Sequence, residues 1–158
     1  MTAPGRGTAD TAAIRPATPN DLAAIVAIER TAFSDPWSRS GFADLVDRPG
    51  VVFLVAELDG HVAGYAVAYH AADEAELANL AVADAWRRRG VAQHLLDAVI
   101  AAVRAGGAAD LWLEVRASNA AARTLYGAYG FLEAGVRRRY YDRPVEDAIV
   151  MRRHTGRR

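Results

Sequence analysis

Apolar positions recur with a helical period over Leu22, Ile25 and Val26, and Thr18-Pro19-Asn20-Asp21 just before them reads as a helix start. Thr18 is the N-cap, Pro19 the first helical residue and Asp21 the third. After Phe33, Asp35-Pro36-Trp37-Ser38 interrupts the chain before a second short helix bearing Phe42, Leu45 and Val46. A short strand near Ile14–Ala17 precedes the first helix. The period then changes. Val51–Leu58 is a strand rich in β-branched residues, Asp59-Gly60 is a two-residue hairpin signal, and His61–Tyr69 is the return strand. The turn Ala71–Glu74 leads into a third strand near Ala75–Val82. Helical spacing returns in Ala92, Leu95, Leu96, Val99 and Val103, and Gly106-Gly107 ends that helix. Leu111–Val115 is a short buried-type strand. Asn119 or Ser118 caps the next helix, with Ala122, Leu125, Tyr126 and Tyr129 on one face and Gly130 at its end. Phe131–Arg138 and Ala148–Arg152 are closing strands.

This order predicts an α/β (α+β) fold: one mixed central sheet with helices on both faces. The strand–helix–strand unit from Ala75 to Val115 should pair its strands in parallel. Residues 1–13, rich in Gly, Ala, Thr and Pro, read as a disordered tail, 14–153 as the single domain and 154–158 as a C-terminal tail.

Composition narrows the chemistry. The 158 residues are 52% hydrophobic and 24% charged, a globular balance. There is no cysteine, which removes disulfides, thiolate metal sites and a cysteinyl-enzyme intermediate. All 19 basic residues are arginine, so a lysine Schiff base is excluded as well. The formal net charge of zero argues against general nucleic-acid binding. Four histidines, His61, His70, His94 and His154, lack metal-ligand spacing, and no metal is expected. No apolar run is long enough for a membrane span, and no signal-peptide core opens the chain, so a cytoplasmic protein is expected.

The segment from Leu80-Ala81-Val82 through Arg87-Arg88-Arg89-Gly90-Val91-Ala92 puts arginines and a glycine between a strand end and a helix start. Unpaired amides and the partial positive charge of a helix N-terminus receive phosphates. Gly90 lets backbone approach an anion, and arginines add charge-assisted donors. A solvated loop with an ordinary glycine turn explains the same residues.

Read from Arg87 to Ala92, this loop resembles the Gln/Arg-x-x-Gly-x-Gly/Ala loop of the GNAT acetyltransferase family. The resemblance implies that the amides of this loop, with Arg88, Arg89, Gly90, Val91, Ala92 and Gln93, hold the pyrophosphate of acetyl-CoA. It also implies that Leu80-Ala81-Val82 lies beside the pantetheine arm, commonly splayed by a bulge, with the Val82 amide polarising the thioester carbonyl. Ala92 and Gln93 are mild departures from the family pattern.

Acyl transfer to an amine needs a base, because an α-amino group has a pKa of about 7.7–8.0, and it needs oxyanion donors and an acid for the leaving thiolate. Without cysteine, direct attack in a ternary complex is the natural route. Glu114 ends an apolar strand, at the crevice where open α/β sheets bind ligands. A surface glutamate or an ion pair with Arg116 explains it equally well. Tyr126 is a potential proton donor or a core phenol, and Asn119 is sufficiently explained as a helix cap.

The run Leu111–Ala122, with Leu125-Tyr126 and Gly130-Phe131, resembles one subfamily, the ribosomal-protein-alanine N-acetyltransferases of the RimI type. Glu-Val-Arg-x-Ser-Asn is its most specific part, supported by Pro36-Trp37-Ser38, Arg138-Arg139-Tyr140-Tyr141 and Glu146-Asp147-Ala148. The likeness spans roughly Ile14 to Arg152. It implies Glu114 as general base, Tyr126 as general acid and Asn119 as a cofactor contact. The acceptor is then the N-terminal amine of a small-subunit ribosomal protein exposing alanine, serine or threonine. The enzyme is expected to be a monomer or weak dimer, with no membrane and no direct nucleic-acid partner.

The peptide is expected between the loop after the first helix and the hairpin opposite, where Asp73, Glu74 and Glu76 could attract a cationic N-terminus or simply form a solvated turn. Tyr140 and Tyr141 could wall the groove or pack as strand residues. Two rivals remain at this level: acetylation of a small amine such as a polyamine or antibiotic, and a non-catalytic acyl-CoA-binding module.

Overall fold

Asp21 gathers the first helix start. Its carboxylate accepts from the Thr18 amide at 2.8 Å, the Thr18 hydroxyl at 3.1 Å and the Arg15 guanidinium at 2.8 Å. Arg15, more than the capping bonds, holds the Asp21 carboxyl down to about 2. The cap works as read from sequence, but Pro19–Asp21 is a 3₁₀ turn that passes into the α-helix proper.

The computed structural model describes residues 11–156. In chain order these form β1 (Ala13–Pro16), α1 (Leu22–Ala32), α2 (Arg39–Ala43), β2 (Val51–Leu58) and β3 (His61–Ala71). There follow β4 (Glu74–Val82), α3 (Val91–Ala105), β5 (Asp110–Arg116), α4 (Ala120–Ala128), β6 (Leu132–Tyr141) and β7 (Glu146–His154). The seven strands make one mixed sheet in the order β1-β2-β3-β4-β5-β7-β6. Every pairing is antiparallel except β4 with β5.

Alternation along β3 feeds a core on each face. Ala66 and Ala68 turn toward α3, packing with Leu95, Leu96, Val99 and Val103, and with Leu111 and Leu113 of β5. Tyr65 and Val67 turn the other way, toward Ile25 of α1 and Phe42 of α2. Small residues on the α3 side let that helix sit close. A Cβ on Gly64 would lie 2.8 Å from the Ala81 carbonyl and 3.2 Å from the Leu95 and Val91 side chains.

Three boundaries differ from the sequence reading. β1 begins at Ala13, and Ala12 before it is buried, so Ala12 and Ala13 belong to the folded domain; residues 1–10 lie outside the described ones. β7 continues through His154, and the buried Thr155 donates to the Ala108 carbonyl at 3.0 Å, so the C-terminal tail does not start at 154. β6 runs to Tyr141 because Arg137-Arg138-Arg139-Tyr140 is tolerated on an edge strand whose side chains nearly all face solvent.

Candidate active site

The site is made by a fork. β4 and β5 pair over only three positions, from Glu74 with Asp110 to Glu76 with Trp112, and then part. A bulge helps to turn β4 away. Across from Val67 and Ala68 of β3 stand Asn79 and Leu77, so Ala78 is the extra residue. The fork opens a cleft of about 560 Å³, within the range of small-molecule sites. Its walls include Leu80 of β4, Glu114 of β5, Tyr126 of α4, and Asn119 at the cap of α4. Leu80 from one segment and Glu114, Asn119 and Tyr126 from another therefore face one space.

Glu114 is mostly buried and accepts from Arg137 Nε at 3.0 Å, not from Arg116. Arg116 turns away and pairs with Glu146 at 3.2 Å. Glu76, last of the paired positions on β4, lines the same cleft. Burial first, then the adjacent Glu114 carboxylate, raises the Glu76 carboxyl above its ordinary range, with Arg137 opposing. Tyr126 is buried, stacked edge-on against Phe131 at 5.6 Å, and burial pushes its phenol up to about 12. It is therefore protonated at neutral pH. Asn119 caps α4 by accepting from the Ala122 amide at 3.1 Å while bordering the cleft.

On the other side of β4's end, the arginine loop is curled as a phosphate cradle requires. Arg88 and Gly90 take left-handed φ of 66° and 75°, and Gly90 is the N-cap of α3 with no side-chain cap bond. The first-turn amides of this 15-residue helix are thus left for an external acceptor. Arg89 lies over the Trp86 ring at 5.1 Å. Val91 and Ala81 have side chains buried in the two cores, so they can offer a ligand only backbone. The residues fit a coenzyme pyrophosphate.

Of the three acidic residues proposed to attract the acceptor, only Glu76 lines the cleft. The β6–β7 hairpin meets the α1–α2 loop, with Arg143 pairing to Asp35 at 3.2 Å, while Asp73 and Glu74 are not among the cleft's walls. Tyr140 and Tyr141 at the end of β6 border the cleft, opposite Phe33, Ser34, Asp35 and Trp37. Burial raises both phenols.

One cluster had no place in the sequence reading. Glu29 of α1 is 1% exposed and lines the cleft wall. Its Oε1 accepts from the Tyr65 hydroxyl and from Asn79 Nδ2 at 2.8 Å, and its Oε2 from the Trp37 amide at 2.9 Å. Burial raises its carboxyl while these three donors pull the other way. The available signal was its spacing: Leu22, Ile25, Val26 and Glu29 share one helical stripe, and a charge on an apolar stripe needs partners. Arg137 was also missed; its reach to Glu114 crosses β7 and leaves no trace in local pattern.

Among the described residues no helix is long and apolar enough to cross a membrane.

Comparison with known proteins agrees with this geometry. The acetyltransferase (GNAT) family matches residues 22–131. The [ribosomal protein bS18]-alanine N-acetyltransferase of Escherichia coli K12 is 42% identical over 133 residues, 83% of this chain and 89% of that protein. The crystal structure of the ribosomal-protein-S18-alanine N-acetyltransferase from Escherichia coli superposes with a TM-score of 0.86 at 38% identity, covering 93% of this chain and 96% of that one. That of Ard1 from Thermoplasma volcanium gives 0.84 at 28% identity, covering 92% and 98%. By its forked sheet, its cradle loop and these matches, the chain belongs to the acetyltransferase (GNAT) family.

Proposed function

We propose that this enzyme transfers the acetyl group of acetyl-CoA to the N-terminal α-amine of a small-subunit ribosomal protein beginning with alanine, serine or threonine. The observation that carries the reading is the meeting of Glu114 and Tyr126 in one cleft at the β4–β5 fork, with the cradle loop at the end of β4. The names of the relatives in Escherichia coli supply the acceptor class. The loop from Arg88 to Gln93 and Asn119 hold the coenzyme. The backbone of Leu80, Ala81 and Val82, freed from β5 by the fork, lies along its arm, and the Val82 amide steadies the oxyanion. Glu114, hydrogen-bonded by Arg137 Nε, takes a proton from the amine as it attacks the thioester carbonyl. Tyr126 gives its proton to the departing sulfur. Glu76 places a second carboxylate where the acceptor's ammonium arrives.

The test of the reading is acetyl transfer to peptides with free N-termini, with a polyamine and an internal-lysine peptide alongside. Transfer restricted to free α-amines, strongest for Ala, Ser or Thr first, supports it. Transfer only to the polyamine moves the enzyme to small amines, and coenzyme binding without transfer makes it a binding module.

Tyr126→Phe keeps the ring against Phe131 and removes only the hydroxyl, so the melting temperature should hardly move. Turnover should fall by about 10²-fold, the low end for a lost general acid. A wild-type rate would leave Tyr126 with packing alone.

A further inference from the structure

Arg116 closes the Glu114-Val115-Arg116 end of β5, yet its guanidinium points to neither carboxylate of the cleft pair. Its donors are divided between two separate segments. Nη1 donates to the Pro144 carbonyl at 3.0 Å and to Glu146 Oε1 at 3.2 Å. Nη2 donates to the Asp142 carbonyl at 2.7 Å and, across the cleft, to Ser34 Oγ at 3.2 Å. The planar group lies 4.5 Å from the centroid of the Tyr141 ring. One side chain therefore grips the β6–β7 hairpin by three acceptors, touches the α1–α2 loop, and backs the tyrosine that walls the cleft. The other oxygen of Glu146 accepts from the Ser118 amide at 2.5 Å, fastening the hairpin to the turn that leads to Asn119 and α4. A second, exposed link repeats the crossing, Arg143 to Asp35 at 3.2 Å.

We infer that Arg116 is a positioning residue for the acceptor: it sets the spacing of the α1–α2 loop and the β6–β7 hairpin and holds Tyr141 against the cleft. The inference rests on the reading that a peptide N-terminus lies between those two segments. Only arginine suits the position, because its planar fork presents five donors in fixed directions and stacks on an aromatic face, whereas an ammonium serves fewer acceptors as a point charge. The cradle loop and α3, which take the pyrophosphate end of the coenzyme, make none of these contacts.

The consequence is a split between substrates. Arg116→Met keeps an unbranched apolar stem and removes every donor. With acetyl-CoA saturating, the KM of a free-N-terminus peptide should rise by about tenfold or more, the scale of one lost charge-assisted bond, while the KM of acetyl-CoA stays within about twofold. kcat should fall less than the peptide KM rises. Arg116→Lys should recover only part of the loss. A residue that merely fastened the fold would instead lower the active fraction, reducing kcat with both KM values unchanged.

If Arg116→Met does not fold, the Ser34→Ala/Asp35→Ala double variant cuts only the crossing between the two segments and should raise the peptide KM by about threefold on the weak end of such contacts. A folded Arg116→Met enzyme, or that double variant, with the wild-type peptide KM overturns the inference while the proposed function stands. A wild-type enzyme that leaves every peptide unmodified overturns both.

Discussion

Glu29→Ala is expected to lower the melting temperature by on the order of 10 °C. The substitution strands three donors, the Tyr65 hydroxyl, the Asn79 amide and the Trp37 backbone amide, in a wall where Glu29 itself is 1% exposed. Each buried donor left unpaired costs about 1–3 kcal/mol, and a domain of this size loses roughly 2–4 °C per kcal/mol. Glu29→Gln separates the parts. Its amide oxygen can still serve Tyr65 and Asn79, but its NH₂ then meets the Trp37 N–H, donor against donor. The smaller thermal loss should come with a loosened α1–α2 loop and a higher peptide KM. The pH dependence has a definite sign. Because burial raises the Glu29 carboxyl above its unfolded value, this group's contribution to stability is present in acid, below the unfolded value of about 4.3, and is lost as pH rises through the folded one. Glu29→Gln should remove that slope. Thermal melts of the three proteins across pH 4 to 8 check it, and a Glu29→Ala melt within about 2 °C of wild type would mean that water has replaced the carboxylate at all three donors.

What the sequence made legible follows from how local each feature is. The hairpin at Asp59-Gly60, the Thr18 and Asn119 caps and the glycine at the head of α3 are decided by a few adjacent residues, and each stands where the pattern placed it. Glu114, Asn119 and Tyr126 fall in one short run of sequence and Leu80 in the strand just before the cradle loop, and the fork brings the two segments to one cleft. The partners of those residues are a different matter. Arg116, two residues from Glu114 on the same face of β5, is the ion-pair partner the local pattern offers, but its donors go to Asp142, Pro144, Glu146 and Ser34, and Arg137 reaches Glu114 from β6 instead. Glu29, Tyr65 and Asn79 lie on α1, β3 and β4, and Asn79 is aimed by a one-residue bulge that reverses the facing of everything after it. The hairpin that meets the α1–α2 loop is hidden in the pattern for a similar reason: it depends on β7 entering the sheet between β5 and β6.

Glu114→Gln is expected to reduce kcat with peptide acceptors by about 10²–10³-fold, as removal of a general base does, with acetyl-CoA affinity unchanged. The isostere can still accept from Arg137 at the present 3.0 Å, so the loss reports proton transfer more than a rearranged wall. Glu76 supplies the control. Two carboxylates in one cleft cannot both ionise freely, and burial together with Glu114 keeps the proton on Glu76 to higher pH than an ordinary glutamate. As pH rises through that raised value Glu76 becomes negative, and the acceptor, still an ammonium until about pH 7.7–8.0, should bind more tightly. The peptide KM of the wild type should therefore fall across this acid limb, and Glu76→Gln should flatten it while sparing kcat at higher pH. The double variant assigns the roles: if Glu114 alone is the base, adding Glu76→Gln to Glu114→Gln changes kcat little. If Glu114→Gln turns over at the wild-type rate and Glu76→Gln does not, the proton leaves through β4, with Glu76 as the base and Glu114 as the acceptor's counter-charge.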